Sequence, residues 1–464
     1  MRRQRHRCVT TFAVLVVAGC GHQSQGIEEP VIPPIALSPC RVPDVAEELR
    51  CGTLRVPEDR KRPRGRQLTL PIVVVPAKRA DRGVPLFVLL GGPGMGATAV
   101  APLWASELGA LREIGDVVLV DQRGTGSGPS SLACPELDDV PAAVSPSVDA
   151  VQACRRRLEA RADLHFYGTL DAARDLDAAR EALGYDRINI DATSYGTRLA
   201  QVYLRLYPTR VNAMVLFGTL AMDVHLPAEF AEHAQRVVDA IVDECASDAS
   251  CSAAFPELPQ QLARLVSSPP AGVDRTAFSE WVRHRIYSAA GARRLPQIIA
   301  RAAAGDVSSF TNAPAGPAGF REAVLLSVSC SEDEPAIDHR AALARARATW
   351  FGSGRLERQS QACAQWARVA IAPDYYRAVA SEVPVLAIAG THDPVTPIEY
   401  ARRATQRMIR AQVVVVPQMG HDMDGLANSE CLLALEVAFL RNPILPVDTA
   451  CVAAIAPPPF AIAN

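Results

Sequence analysis

Lysine is almost missing from this chain of 464 residues: Lys61 and Lys78 are the only two, and arginine supplies the rest of the positive charge. That bias reads as genome composition rather than function. Other shortages exclude more. No two cysteines have C-x-x-C spacing and no histidine cluster lies near them, which argues against a metal site. No internal repeat is visible. Glycines crowd into one turn, Gly91-Gly92-Pro93-Gly94-Met95-Gly96, but their spacing is wrong for a dinucleotide fingerprint and no Lys-Ser/Thr pair follows. Nucleotide cofactors are therefore not expected, nor is any other cofactor.

The N-terminus is read apart from the fold. Arg2, Arg3, Arg5 and Arg7 precede an apolar run from Val9 to Val17, then Val17-Ala18-Gly19-Cys20. The run is too short, and too interrupted by Thr10 and Thr11, to span a bilayer. It resembles a bacterial lipoprotein signal over residues 1–19, with Cys20 lipidated and the product held at the cell envelope. An ordinary secretory signal that contains Cys, or an uncleaved anchor, is the alternative. Removing four arginines and no acid lowers the formal net charge of −2 by four, to −6, leaving no basic footprint for nucleic acid. Any membrane contact is expected through the lipid alone.

Beyond Cys8 and Cys20 ten cysteines remain, an even number that on an exported chain implies disulfides. Connectivity does not follow from sequence; pairing neighbours in order gives 40–51, 134–154, 245–251, 330–363 and 431–451 as the expectation. Residues 20–39 are polar, then Pro-rich, and read as a tether. At 49% hydrophobic and 21% charged, the remainder is an ordinary globular composition. Its pattern alternates strands with helices, which predicts an α/β, mostly parallel, doubly wound sheet. Gly52 to Val56 and Leu68 to Val75 are expected to open it as an antiparallel pair. Pro85 to Leu90, Val117 to Val120, Arg187 to Asp191, Val211 to Phe217, Val385 to Ala389 and Val413 to Val416 follow as strands. The alternation lapses over 222–375, where helical segments and Pro-rich turns predict an inserted, mainly helical cap. Core residues are then 40–221 and 376–464.

One strand runs straight into a helix through Ala192-Thr193-Ser194-Tyr195-Gly196. A serine on such a turn sits at the positive end of the new helix, with the next N–H aimed at a developing oxyanion. The usual pattern is G-x-S-x-G, and Ala192 departs from it. The Gly91–Gly96 turn offers a second oxyanion donor, so Gly92 and Tyr195 are the candidate hole, a plain tight turn being the alternative reading of the glycines. Asp121 and Arg123, in Asp121-Gln122-Arg123-Gly124, are expected to organise the loop beneath. Serine needs a base and the base an orienting carboxylate, in the chain order Ser, acid, His. Only His421 lies beyond the last strand; His392 precedes the acid and is excluded by order. Asp393, directly after a strand, is the candidate acid, with Asp422 and Asp424 as competitors that follow the histidine.

With GGPG, DQRGTGSG, SYGT and GTHDPVTP in this order, residues 40 to 455 resemble the proline iminopeptidase and tripeptidyl aminopeptidase family of serine peptidases, in the α/β-hydrolase superfamily. Leu90, where the proline iminopeptidase branch usually carries His, makes the chain look more like the exported tripeptidyl aminopeptidase branch. The resemblance implies an α/β-hydrolase fold and hydrolysis of short peptides from the N-terminus through an acyl-enzyme on Ser194. An esterase or amidase acting on small molecules is the alternative, since the same residues would serve it. Family members hold the substrate's ammonium with acidic residues under the cap. Glu332 and Asp333 are the candidates here, against the reading of Glu332-Asp333-Glu334 as a solvated loop.

Overall fold

The computed structural model describes residues 33–139, 147–269, 274–308 and 319–462. The expected signal peptide, the lipid-bearing Cys20 and the first part of the tether lie outside them. Nine strands form one sheet: β1 (Ser38–Cys40), β2 (Leu49–Pro57), β3 (Gln67–Val75), β4 (Leu86–Leu89), β5 (Val117–Val120), β6 (Ile188–Thr193), β7 (Val211–Phe217), β8 (Val385–Gly390) and β9 (Ala411–Val416). Their spatial order is β1-β2-β3-β5-β4-β6-β7-β8-β9. The first three strands and the β3–β5 step are antiparallel, and the other pairs are parallel. This is the mostly parallel α/β sheet that the alternation predicts. The edge strand β1 is new, because it falls where the sequence reads as tether.

Side-chain alternation divides the core between the two faces of the sheet. Phe87, Leu89, Val118, Val120, Ile188, Ile190 and Ala192 pack on one side. Leu86, Val88, Val117 and Leu119 pack on the other. Strands buried on both faces must be apolar at nearly every position, and every residue of β4, β5 and β8 is buried.

Helices α1 (Ala101–Ala105), α2 (Pro135–Asp138), α3 (Val148–Glu159), α4 (Thr169–Ala182) and α5 (Tyr195–Leu206) lie between β4 and β7. Gly184 follows α4 in a left-handed conformation, φ 75°, as its position past the last periodic residue implies. Between β7 and β8 the described elements are helical: α6 (Phe230–Ser247), α7 (Ala249–Ala254), α8 (Leu258–Ser267), α9 (Arg275–Arg285), α10 (Ala289–Ala303), α11 (Glu322–Glu332), α12 (His339–Arg347) and α13 (Gly354–Gln365), with short 3-10 turns. Residues of α6 to α10 have an apolar core of their own, including Val238, Ile241, Trp281, Leu295 and Ile299. Helices α14 (Ile398–Thr405) and α15 (Glu430–Arg441) complete the chain. Among the described residues no helix is long and apolar enough to cross a membrane.

The five disulfides are 40–51, 134–154, 245–251, 330–363 and 431–451, so each cysteine pairs with its neighbour in order. Each closes a loop of modest length, which restricts the unfolded chain by about 2–4 kcal/mol.

One polar pair breaks the apolar rule. Asp191 of β6 and Glu436 of α15 are both buried, and the two carboxyls share a hydrogen bond. Burial drives both above the ordinary carboxylate range, and the Asp191 charge pushes Glu436 further, so Glu436 keeps its proton and donates it. Because these values are raised, the pair's contribution to stability is present at low pH and is lost as pH rises through them. Glu436→Gln keeps a donor without an acid. Urea unfolding between pH 6 and pH 9 should show the wild type losing about 1 kcal/mol or more relative to this variant; parallel pH profiles would contradict the shared proton.

Candidate active site

Five loops meet at the carboxyl ends of the parallel strands, where open α/β sheets place their sites. Strand β4 leads into Gly91, β6 into Ser194, β7 into Gly218, β8 into Asp393 and β9 into His421.

Ser194 stands between β6 and α5 with φ 57° and ψ −126°, a backbone conformation that a residue with a Cβ seldom adopts. Close packing enforces it. A Cβ on Gly196 would lie 2.1 Å from the Leu89 carbonyl oxygen, and one on Gly91 would lie 2.7 Å from Ser194 Cβ. Ala192, the departure from the usual pattern, sits fully buried inside β6, paired with Leu89 and Leu216. Its methyl group is part of the core and does not crowd the turn.

Asp393 is buried and takes four hydrogen bonds. Oδ1 accepts from the Val395 N–H at 2.7 Å and the Thr396 N–H at 2.8 Å. Oδ2 accepts from Thr396 Oγ1 at 2.7 Å and faces His421 Nδ1 at 2.8 Å. Burial alone would raise this acid, but His421 and the local donors outweigh it and hold Asp393 below the ordinary aspartate value. For His421 burial disfavours the cation, and Asp393 reverses the balance, so its pKa is raised. Thr396 Oγ1 lies 3.1 Å from Nδ1, but its one proton already goes to Asp393. Nδ1 must therefore carry the hydrogen, which leaves Nε2 as the basic lone pair.

His421 reaches the serine's surroundings through Gly218. The Ser194 N–H donates to the carbonyl of Phe217 at 2.9 Å. A Cβ on the next residue, Gly218, would lie 3.2 Å from His421 Cε1. Tyr287, between α9 and α10, stands edge-on to the imidazole with ring centroids 5.1 Å apart. Its hydroxyl accepts from Arg283 at 2.6 Å, so the helical insertion touches the histidine directly.

The Gly92 and Tyr195 N–H groups lie at the ends of β4 and β6, in neighbouring strands. Tyr195 is the first residue of α5, whose leading N–H groups have no partner within the helix. Asp121 accepts from the N–H and hydroxyl of Thr98 at 2.8 and 3.0 Å. Arg123 is buried in a two-pronged pair with Asp175, both contacts 2.7 Å. These two residues brace the loops and stay away from Asp393 and His421. His392 pairs with Glu244 of α6 at 3.1 Å, and Asp422 and Asp424 are exposed. Among the described residues no group of three or more His, Cys, Asp or Glu is arranged to hold a metal.

The acidic run calls for a correction. Glu332 and Asp333 are not in a solvated loop: Glu332 ends α11, Asp333 caps it, and both are buried. Thr169 and Tyr375 donate to the Glu332 carboxylate, and Arg198 pairs with Asp333 at 2.8 Å. Both carboxylates are thus satisfied by donors of the protein itself. Sequence reasoning also missed Thr396, Tyr287 and Thr169. Only Thr396 carried a signal, since a hydroxyl three residues after an acid turns back on it readily.

A family model described as alpha/beta hydrolase fold matches residues 84–423. Serine protease Hip1 of Mycobacterium tuberculosis is 29% identical over 264 residues, covering 51% of this chain and 51% of that protein. The tripeptidyl aminopeptidase of Streptomyces coelicolor is 30% identical over 195 residues, covering 37% of this chain and 35% of that one. A protein named carboxylesterase B, also from Mycobacterium tuberculosis, is 30% identical over 213 residues, covering 41% and 40%. The chain thus spans about half the length, or less, of these curated relatives.

The raised His421 value is open to direct measurement. Imidazole nitrogen NMR should show His421 titrating above the ordinary histidine value, and Asp393→Asn should drop it below, because burial then outweighs the remaining pull of Asp422. No change in the variant would refute the assigned pairing.

Proposed function

The chain belongs to the α/β-hydrolase fold family, and from that premise we propose that it is an exported serine peptidase. It releases short peptides or single residues from the N-termini of peptides. The observation that carries the serine-hydrolase part of this reading is His421 Nδ1 at 2.8 Å from the saturated Asp393, with Ser194 in a strained turn at the end of β6. Ser194 is the nucleophile, His421 the general base and Asp393 the group that orients and stabilises the imidazole.

Ser194 Oγ forms a bond to the substrate's carbonyl carbon while its proton passes to His421 Nε2. The carbonyl oxygen becomes an oxyanion, held by the N–H groups of Gly92 and Tyr195. Collapse breaks the C–N bond, and His421 returns the proton to the departing amine. Water then repeats the sequence on the acyl-enzyme: His421 takes its proton, the acid product leaves, and Ser194 recovers its hydrogen. Since the base must be neutral, the raised His421 value sets the low-pH limit of activity.

Similarity to proteins named as serine protease and tripeptidyl aminopeptidase supports the peptidase reading. Similarity to a carboxylesterase supports the second one, an esterase acting on small molecules. Five disulfides point to an oxidising, extracytoplasmic compartment. Attachment through a lipid on Cys20 accords with the sequence around it.

Arylamides of one to three residues with free N-termini, run beside p-nitrophenyl esters, separate the two readings. A peptidase turns over arylamides, and Ser194→Ala reduces that rate by about 10⁴-fold or more. Ester turnover with no arylamide turnover would favour the esterase.

A further inference from the structure

Glu332 and Asp333 end α11 with both carboxylates inside the protein, 1% and 3% exposed. Two buried acids need donors to offset their desolvation, and these come from the start of α4, from α5 and from the turn at 373–376. The Thr169 N–H donates to Glu332 Oε1 at 2.7 Å, and the Thr169 hydroxyl donates to Oε2 at 2.7 Å. Tyr375 also donates to Oε2, and the Tyr376 hydroxyl donates to the Glu332 carbonyl at 2.8 Å.

Thr169 Oγ1 is also 2.8 Å from the hydroxyl of Tyr195. A threonine has one hydroxyl proton, and here it goes to Glu332, so the hydrogen between Thr169 and Tyr195 must come from Tyr195. The tyrosine keeps it: burial first, then the Glu332 charge, push its phenol far above the ordinary value. A directed relay therefore runs from Tyr195 through Thr169 to Glu332. One turn along α5, Arg198 pairs with Asp333 Oδ1 at 2.8 Å, both side chains being buried. The neighbouring Cys330 is tied to Cys363 of α13, which anchors the α11 end.

We propose that Glu332 and Asp333 are positioning residues that fix the first turn of α5, and with it the Tyr195 N–H, and that they do not bind substrate. The inference rests on the reading of Ser194 as nucleophile and of that N–H as an oxyanion donor. Tyr195 is the link: its backbone N–H opens α5 beside Ser194 and its side chain begins the relay. A helix of the insertion thus helps to build the oxyanion hole, and its two acids work from behind it.

Two variants test this. Tyr195→Phe removes one hydroxyl and leaves the carboxylates alone; Glu332→Gln keeps the shape and removes the charge. In both, kcat for an N-blocked p-nitrophenyl ester should fall about 10- to 100-fold, with KM held within about twofold. Free-amine arylamides should lose the same fraction. A KM increase confined to free-amine substrates would overturn the proposal, because it would mark Glu332 as an ammonium site. Hydrogen exchange gives a readout that needs no turnover. The amides of Thr197 to Ala200 should exchange faster in both variants while those of β6 stay protected, and unchanged exchange at α5 would overturn the proposal too. If Glu332→Gln fails to fold, Tyr195→Phe decides alone. A wild type inert toward every substrate would count against the proposed function, whereas the exchange comparison would still judge the relay.

Discussion

Four hydrogen bonds to one buried carboxylate organise this site. Asp393 accepts from two backbone N–H groups, one hydroxyl and one imidazole, which uses its acceptor capacity almost fully. A buried acid without such partners would protonate, and His421 would lose the charge that fixes its tautomer. Because three of the donors belong to Val395 and Thr396, the carboxylate is set by its own loop before the histidine arrives. The geometry of His421 therefore inherits the rigidity of the β8 end, itself buried throughout.

The helical insertion takes part in this arrangement. Tyr287 stands against the imidazole, Glu244 holds His392 beside the acid loop, and the end of α11 grips the helix that follows Ser194. Three separate insertion segments thus bear on three separate parts of the site. Helices α6 to α10 of the insertion have an apolar core of their own, whereas α11 packs into the core of the sheet.

Much of this was legible in the sequence because it rests on local chemistry. Apolar runs gave the central strands, since a strand buried on both faces admits little else. The order of Ser194, Asp393 and His421, each in a loop that follows a strand, singled out residues that the structure carries at the carboxyl ends of β6, β8 and β9. Pairing each cysteine with its neighbour was enough for the disulfides, whose sequence separations run from 6 to 33 residues. The misses have physical reasons as well. Strand β1, Ser-Pro-Cys, has no apolar period and exists only by pairing with β2. Tyr287 reaches His421 across more than a hundred residues of chain, which no local pattern records. The burial of Glu332 and Asp333 had no local signal, since acidic residues are usually solvated and the partners that bury these two, Thr169, Arg198 and Tyr375, are distant in sequence.

The central claim is that Ser194 is a nucleophile activated by His421. A fluorophosphonate probe followed by peptide mapping tests it most directly. The account predicts one adduct, on the peptide bearing Ser194, that is absent from Ser194→Ala and forms far more slowly in His421→Ala. An unlabelled wild type, or a label that persists in Ser194→Ala, would contradict it.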